Sequence, residues 1–236
     1  MKQRFPIIML FILSLGFIST GNAREPRDAG VEPVAGVFDY YVLSLSWSPT
    51  FCLTHQNDSQ CSGKGYGFVL HGLWPQYARG GWPQSCSTEM PLTAAEREKG
   101  LTLFPTRKLL EHEWSKHGTC SGLGAMGYLD ASDRALGAVK IPTPLQPFTS
   151  SHYFEADEII RLFRQSNPGI EADGVAVICR GPQLSEVRVC MDKDLAFTAC
   201  GKGVKTQCRA GEIRVPRFAE RIFRHRGGMS RQRHVQ

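Results

Sequence analysis

Large and small side chains alternate from Tyr40 to Trp47 (YYVLSLSW), the period-two signature of a half-buried strand. GYGFVL runs straight into His71 and predicts another strand with that histidine at its end. From Ser85 to Leu101 the chain is polar with helical propensity. PTRKLLEHEWSKHG then opens with Pro105 and Thr106 as a helix start and stops at Gly118, which places HEWSK on the last turns of a helix. Residues 140 to 150 are rich in Pro, Thr and Ser and predict a loop. FEADEIIRLFRQSNPG predicts an amphipathic helix ended by Pro168-Gly169, and VAVIC, SEVRVCMD and LAFTAC predict strands. There is no internal repeat and no interior linker. Early helices with strands along the whole length predict an α+β fold: one domain with a mostly antiparallel sheet flanked by helices.

The two ends change this picture. Lys2 and Arg4 precede an almost wholly apolar run from residue 5 to 19, and Gly21-Asn22-Ala23 offers small residues to a signal peptidase. Residues 1–23 therefore read as a signal peptide and the mature chain starts near Arg24; the run is shorter than the roughly 20 residues a membrane span needs. About 213 residues remain, enough for one domain with a core. The formal net charge of the whole chain is +6, of which the leader holds +2. Residues 214–236, with seven Arg and one Glu, hold +6, so the domain at 24–213 sums to −2. The Arg-rich tail reads either as a solvated, partly helical extension or as a surface that touches RNA or a membrane.

All eight cysteines follow the leader, and an even count in an exported chain reads as four disulfides. No C-x-x-C pair suggests a zinc ribbon. The count alone leaves about 105 pairings open.

The candidate chemistry lies in two short segments, HGLWPQ (His71 to Gln76) and HEWSKHGTC (His112 to Cys120). HEWSKH comes close to the H-E-x-x-H motif of zinc proteases, but its final histidine falls one residue late. At about 100° per residue, His112 and His117 point roughly 140° apart, whereas Glu113 with His117, and His112 with Lys116, are the i, i+4 pairs that share a face. Metal-free RNA cleavage suits this separation. One group must take the proton of a ribose 2′-OH, another must protonate the departing 5′-oxygen, and cations must hold the charge of the phosphorane between them. Histidines suit the first two tasks because one can be neutral while the other is charged near neutral pH. Lys116 and a protonated His112 suit the third. Glu113, one turn before His117, is expected to orient that ring and favour its cationic form.

HGLWPQ and HEWSKHGTC resemble the two active-site segments of the ribonuclease T2 family, which are secreted, disulfide-bonded endoribonucleases of α+β fold. LSLSWSPTFC and the stretch around LSEVRVCMD also fit, so the resemblance covers roughly residues 38 to 210. It implies His71 as acid, His117 as base, His112 as phosphate ligand, Glu113 and Lys116 as assisting groups and Trp74 in base binding. It implies the disulfides Cys52–Cys61, Cys86–Cys120, Cys179–Cys208 and Cys190–Cys200. This chain carries Gln76 where many relatives have Asp.

Trp74, Tyr77 and Trp82 are the candidate platforms for unstacked bases, which makes single-stranded RNA the expected partner. The sequence thus predicts an exported, monomeric endoribonuclease that needs no cofactor and no metal. Its products would be 2′,3′-cyclic phosphates, opened later to 3′-phosphates. The leader reads as bacterial in length, so the periplasm is expected before the extracellular space. The alternative is a catalytically weak exported RNA-binding protein of the same fold.

Overall fold

The computed structural model describes residues 33–87, 91–146 and 150–217; the expected leader and nearly all of the basic tail lie outside the described residues. The elements run β1 (Tyr40–Trp47), α1 (Ser48–Cys52), β2 (Phe68–Gln76), α2 (Ala94–Leu103), α3 (Arg107–Lys116), α4 (Gly124–Ala138), β3 (His152–Phe154), α5 (Ala156–Ser166), β4 (Val175–Arg180), β5 (Gln183–Met191) and β6 (Ile213–Val215). The class is the expected α+β. β5 pairs antiparallel with β1 and with β4, β1 pairs antiparallel with the edge strand β2, and β5 meets β6 in parallel.

Period-two alternation divides this sheet into two faces with different jobs. Tyr41, Leu43, Leu45 and Trp47 of β1 join Leu70, Leu73, Val187 and Val189 in the main core. Leu110 and Trp114 of α3, Tyr128 and Leu129 of α4, and Ile159 and Phe163 of α5 close over them. The intervening residues point the other way. Tyr40 and Val42 gather with Trp74, Ala176, Cys190 and Val204 in a smaller cluster, and beside it Ser44 lies opposite Gly72 and Arg188.

α3 forms where the pattern predicts it. Thr106 caps its start by accepting from the Leu109 amide, and Leu110 and Trp114, four residues apart, bury one stripe. It stops at Lys116, with His117 as the capping residue, and Gly118 follows where a Cβ would lie 2.5 Å from the Trp114 ring. α4 has no counterpart among the predicted elements. Its fifteen residues include Gly124, Gly127 and Gly137, each costing about 1 kcal/mol of helix propensity relative to Ala. Burial of Tyr128, Leu129, Ala131 and Ala135 overrides that deficit. LAFTAC is not a strand: only Phe197 bridges to Met191, because the chain turns at Asp192, whose carboxylate accepts from the Asp194 and Ala196 amides. The body also extends past the expected boundary at 213. Arg214 and Val215 belong to β6, and the Trp47 indole donates to the Pro216 carbonyl at 2.9 Å.

The eight cysteines are bonded as Cys52–Cys61, Cys86–Cys120, Cys179–Cys208 and Cys190–Cys200. Cys86–Cys120 spans 34 residues and joins the segment after β2 to the segment after α3. A link of that length is worth about 3–4 kcal/mol of chain entropy. Among the described residues, no helix is long and apolar enough to cross a membrane.

Candidate active site

His71 reaches its position through an irregularity in the sheet. Ser44 pairs with Gly72 and Leu45 with Leu70, so His71 is the additional residue of a β-bulge. Bulges re-aim side chains that regular alternation would leave elsewhere. The strand-end expectation is corrected accordingly: β2 continues for five residues beyond His71, and Pro75 is tolerated because β2 is an edge strand.

The re-aimed ring meets β5. His71 Nδ1 and Glu186 Oε1 are 2.9 Å apart. The other oxygen of Glu186 accepts from Arg188 Nε and Nη2 at 3.0 and 2.8 Å and from the Ser44 hydroxyl at 3.3 Å. Glu186, Arg188 and Ser44 are not among the residues expected at the site. The available signal was the alternation of charged and apolar residues in SEVRVC, which sets Glu186 and Arg188 beside each other on one face of a strand.

The helical segment contributes the other groups, with one correction. Glu113 is buried, but its carboxylate does not turn to His117. Oε2 accepts from the Trp74 indole at 2.6 Å and Oε1 lies 3.6 Å from His71 Nε2. An i, i+4 pairing requires a helix that continues through His117, whereas α3 ends one residue earlier and Glu113 reaches across to β2. Gly72 makes that reach possible, since a Cβ there would fall 2.2 Å from Glu113 Oε2.

His117 is 6% exposed, and among the described residues its Nδ1 has no hydrogen-bond partner. Trp74 touches both imidazoles, with ring centroids 5.0 Å from His71 and 5.3 Å from His117. The Arg188 guanidinium lies 5.1 Å from the Trp74 ring centroid. At 9% exposure, with its N–H committed to Glu113, Trp74 forms a wall of the cleft between the two histidines.

These surroundings drive the two histidines in opposite directions. Burial lowers the His71 pKa, but the hydrogen bond and charge of Glu186, with the charge of Glu113, outweigh burial and Arg188, so the net shift is upward. His117 is pushed down to about 3, by burial first and then by Lys116, His112 and His71. His112 is also lowered, by burial, Lys116 and His71, so the free protein disfavours the cation expected at this position. Burial raises the Glu113 carboxyl despite His71, the Trp74 bond and Lys116. Glu186 goes the other way: the bond from His71 and the charges of His71 and Arg188 overcome burial and hold it down at about 2.

All six side chains expected at the site, His71, Trp74, His112, Glu113, Lys116 and His117, line one cleft of about 220 Å³. Val42, Gln76, Trp82, Arg188, Gly203 and Val204 complete it. Trp82 is 51% exposed and has the accessibility of a stacking surface. Tyr77 does not line the cleft; it packs against the main core with Arg79 over its ring at 5.4 Å.

Residues 38–200 match the model of the ribonuclease T2 family. The chain belongs to the ribonuclease T2 family. A ribonuclease of Aeromonas hydrophila is 54% identical over 89 residues, 38% of this chain and 40% of that protein. A probable ribonuclease of Haemophilus influenzae is 30% identical over 178 residues, 69% of this chain and 61% of that protein. The chain thus spans under two thirds of the length of these two relatives. In fold it is similar to an RNase-related protein from Calystegia sepium, with a TM-score of 0.62 and 24% identity over 76% of this chain and 96% of that one. The family match contains all six expected site residues and both Glu186 and Arg188, and it stops just before Gly203 and Val204 on the cleft rim.

Proposed function

We propose that this protein is an endoribonuclease that cleaves single-stranded RNA by transphosphorylation without a metal ion. One observation carries the reading: two histidines share a cleft and their surroundings pull their proton affinities apart, as an acid and base pair requires. His117, kept neutral, takes the proton from the ribose 2′-OH. The freed oxygen attacks phosphorus, the bond from phosphorus to the 5′-oxygen breaks, and His71, kept protonated, gives its Nε2 proton to that oxygen. The product is a 2′,3′-cyclic phosphate. Water then opens it to a 3′-phosphate with the roles reversed: His71 accepts the proton of water and His117 returns one to the 2′-oxygen.

Lys116 and His112 meet the phosphate. An arriving anion favours the protonated form of His112, so substrate itself recruits the additional cation. Glu113 sits beside the proton-bearing nitrogen of His71 and ties that ring to Trp74. Trp82 offers the exposed face on which a base stacks. The apolar leader and the four disulfides support export into an oxidising compartment, the periplasm or the exterior, where the chain acts as a monomer.

Cleavage of a dinucleotide in EDTA, with products followed by phosphorus NMR, tests the reading. A cyclic phosphate that forms first and then decays is the expected result. Activity lost in EDTA and restored by a divalent cation would contradict it.

A further inference from the structure

We propose that Glu186 is a positioning residue for His71: its carboxylate holds the imidazole by Nδ1, leaving Nε2 alone to exchange a proton in the cleft. The proposal rests on the reading of His71 as the acid. His71 Nδ1 lies 2.9 Å from Glu186 Oε1, and the opposite nitrogen faces Glu113 and the cleft. The carboxylate is itself held from two strands, by two donors of Arg188 and by the Ser44 hydroxyl. Ser44 is fully buried and Glu186 is 9% exposed, so this is an internal bracket and not a surface ion pair.

The bracket fixes where each proton sits. In the imidazolium, Nδ1–H donates to Glu186 and Nε2–H points to the leaving oxygen. When Nε2–H is given up, the bonding pair stays on that nitrogen, and the neutral ring is the Nδ1–H tautomer. That tautomer presents an Nε2 lone pair to the water of the hydrolytic step, so one bond serves both halves of the reaction. Against burial, the bond and charge of His71 hold the Glu186 carboxyl low, and Arg188, which donates twice to the same carboxylate, adds to them. The groups that face His71 are Glu186 and Arg188 from β5, Glu113 and His112 from α3, and His117 at its end. Of these, Glu186 gives the largest upward contribution. The bulge explains why a partner is needed: a residue outside the regular ladder lacks the packing that fixes a strand side chain.

Two readouts of the full-length protein test this: the pH dependence of kcat/KM on a dinucleotide, and the NMR titration of the His71 ring. In Glu186→Gln the His71 titration and the alkaline limb of the rate should move together to lower pH. Activity near neutrality should fall by up to about tenfold for each unit of that movement and recover as the pH is lowered. Glu186→Asp, which keeps the charge, should restore part of the loss. A fall by one factor at every pH with an unmoved His71 titration overturns the proposal, because that is the mark of a merely structural residue. Should the Gln variant fail to fold, the wild type decides: His71 must titrate above 6.5 with Nδ1 bearing the proton in its neutral form, and a value below 6.5 or the other tautomer overturns it. A wild type that cleaves no dinucleotide sinks the functional reading, while the ring titration still measures the link between Glu186 and His71.

Discussion

His71 stands on an edge strand between two carboxylates, and His117 stands at a helix end beside a lysine and another histidine. Both touch the same indole and line the same cleft. Residue type therefore cannot tell the acid from the base; the neighbours do. The carboxylates near His71 come from two remote segments, Glu113 on α3 and Glu186 on β5, whereas Lys116 and His112, which weigh on His117, lie on α3, the helix that His117 caps. In the proposed division of roles the donor is thus set by carboxylates from remote segments, and the acceptor by burial together with neighbours close in sequence.

Removing either ring is the harshest way to break the contrast. His71→Ala and His117→Ala should each lower turnover by ~10²–10⁴, the contribution of general acid–base catalysis. Circular dichroism should report a retained fold. A variant that keeps half its activity would strip that histidine of its role. His112→Ala should instead act partly through KM, if it meets the phosphate as proposed.

Changing the neighbours is gentler. Glu113→Gln removes a negative charge 3.6 Å from His71 Nε2, so the limb belonging to the acid should move to lower pH while the limb of His117 stays. Each unit of that shift costs about tenfold in rate on the alkaline side. The spacing in HEWSKH by itself assigns this shift to the base, so the identity of the moving limb discriminates between a shared helical face and the observed geometry.

That reversal shows what the sequence could convey. β1, β4, β5, α3 and α5 were legible because each is written in a local period, and the cleft residues were legible because two segments concentrate them. The bulge at His71 was not, since it is a mismatch between two strands and neither strand alone records it. Glu186 stayed hidden for a related reason: 115 positions separate it from the ring it holds. α4 was masked by its glycines. LAFTAC has the composition of a strand, but the Asp192 turn takes up the hydrogen bonds that a longer strand pairing would require.

Stability should carry the same imprint. A neutral His117 with a folded pKa of about 3 against 6.5 unfolded contributes stability above 6.5 that is lost as the pH falls toward 3. Glu186, held at about 2, adds a further loss between 4.5 and 2. Urea unfolding should therefore show stability declining from pH 6.5 downward, and His117→Gln should flatten the upper part of that decline. An unchanged slope in the variant would mean that His117 is not held neutral.

The smallest effect concerns the basic end. Removing residues 218–236 should leave dinucleotide cleavage unchanged, because the cleft residues all lie earlier in the chain. If the tail touches RNA, the same truncation should flatten the salt dependence of long-RNA binding, as each neutralised phosphate releases counterion. An identical salt slope would assign the tail to solvent.

The division of labour between the histidines is tested most directly by titrating both rings in the free wild-type protein by NMR. His71 should titrate above 6.5 and His117 far below it, near the foot of the accessible range. The reverse order, or two rings titrating together near 6.5, would contradict the assignment of acid and base.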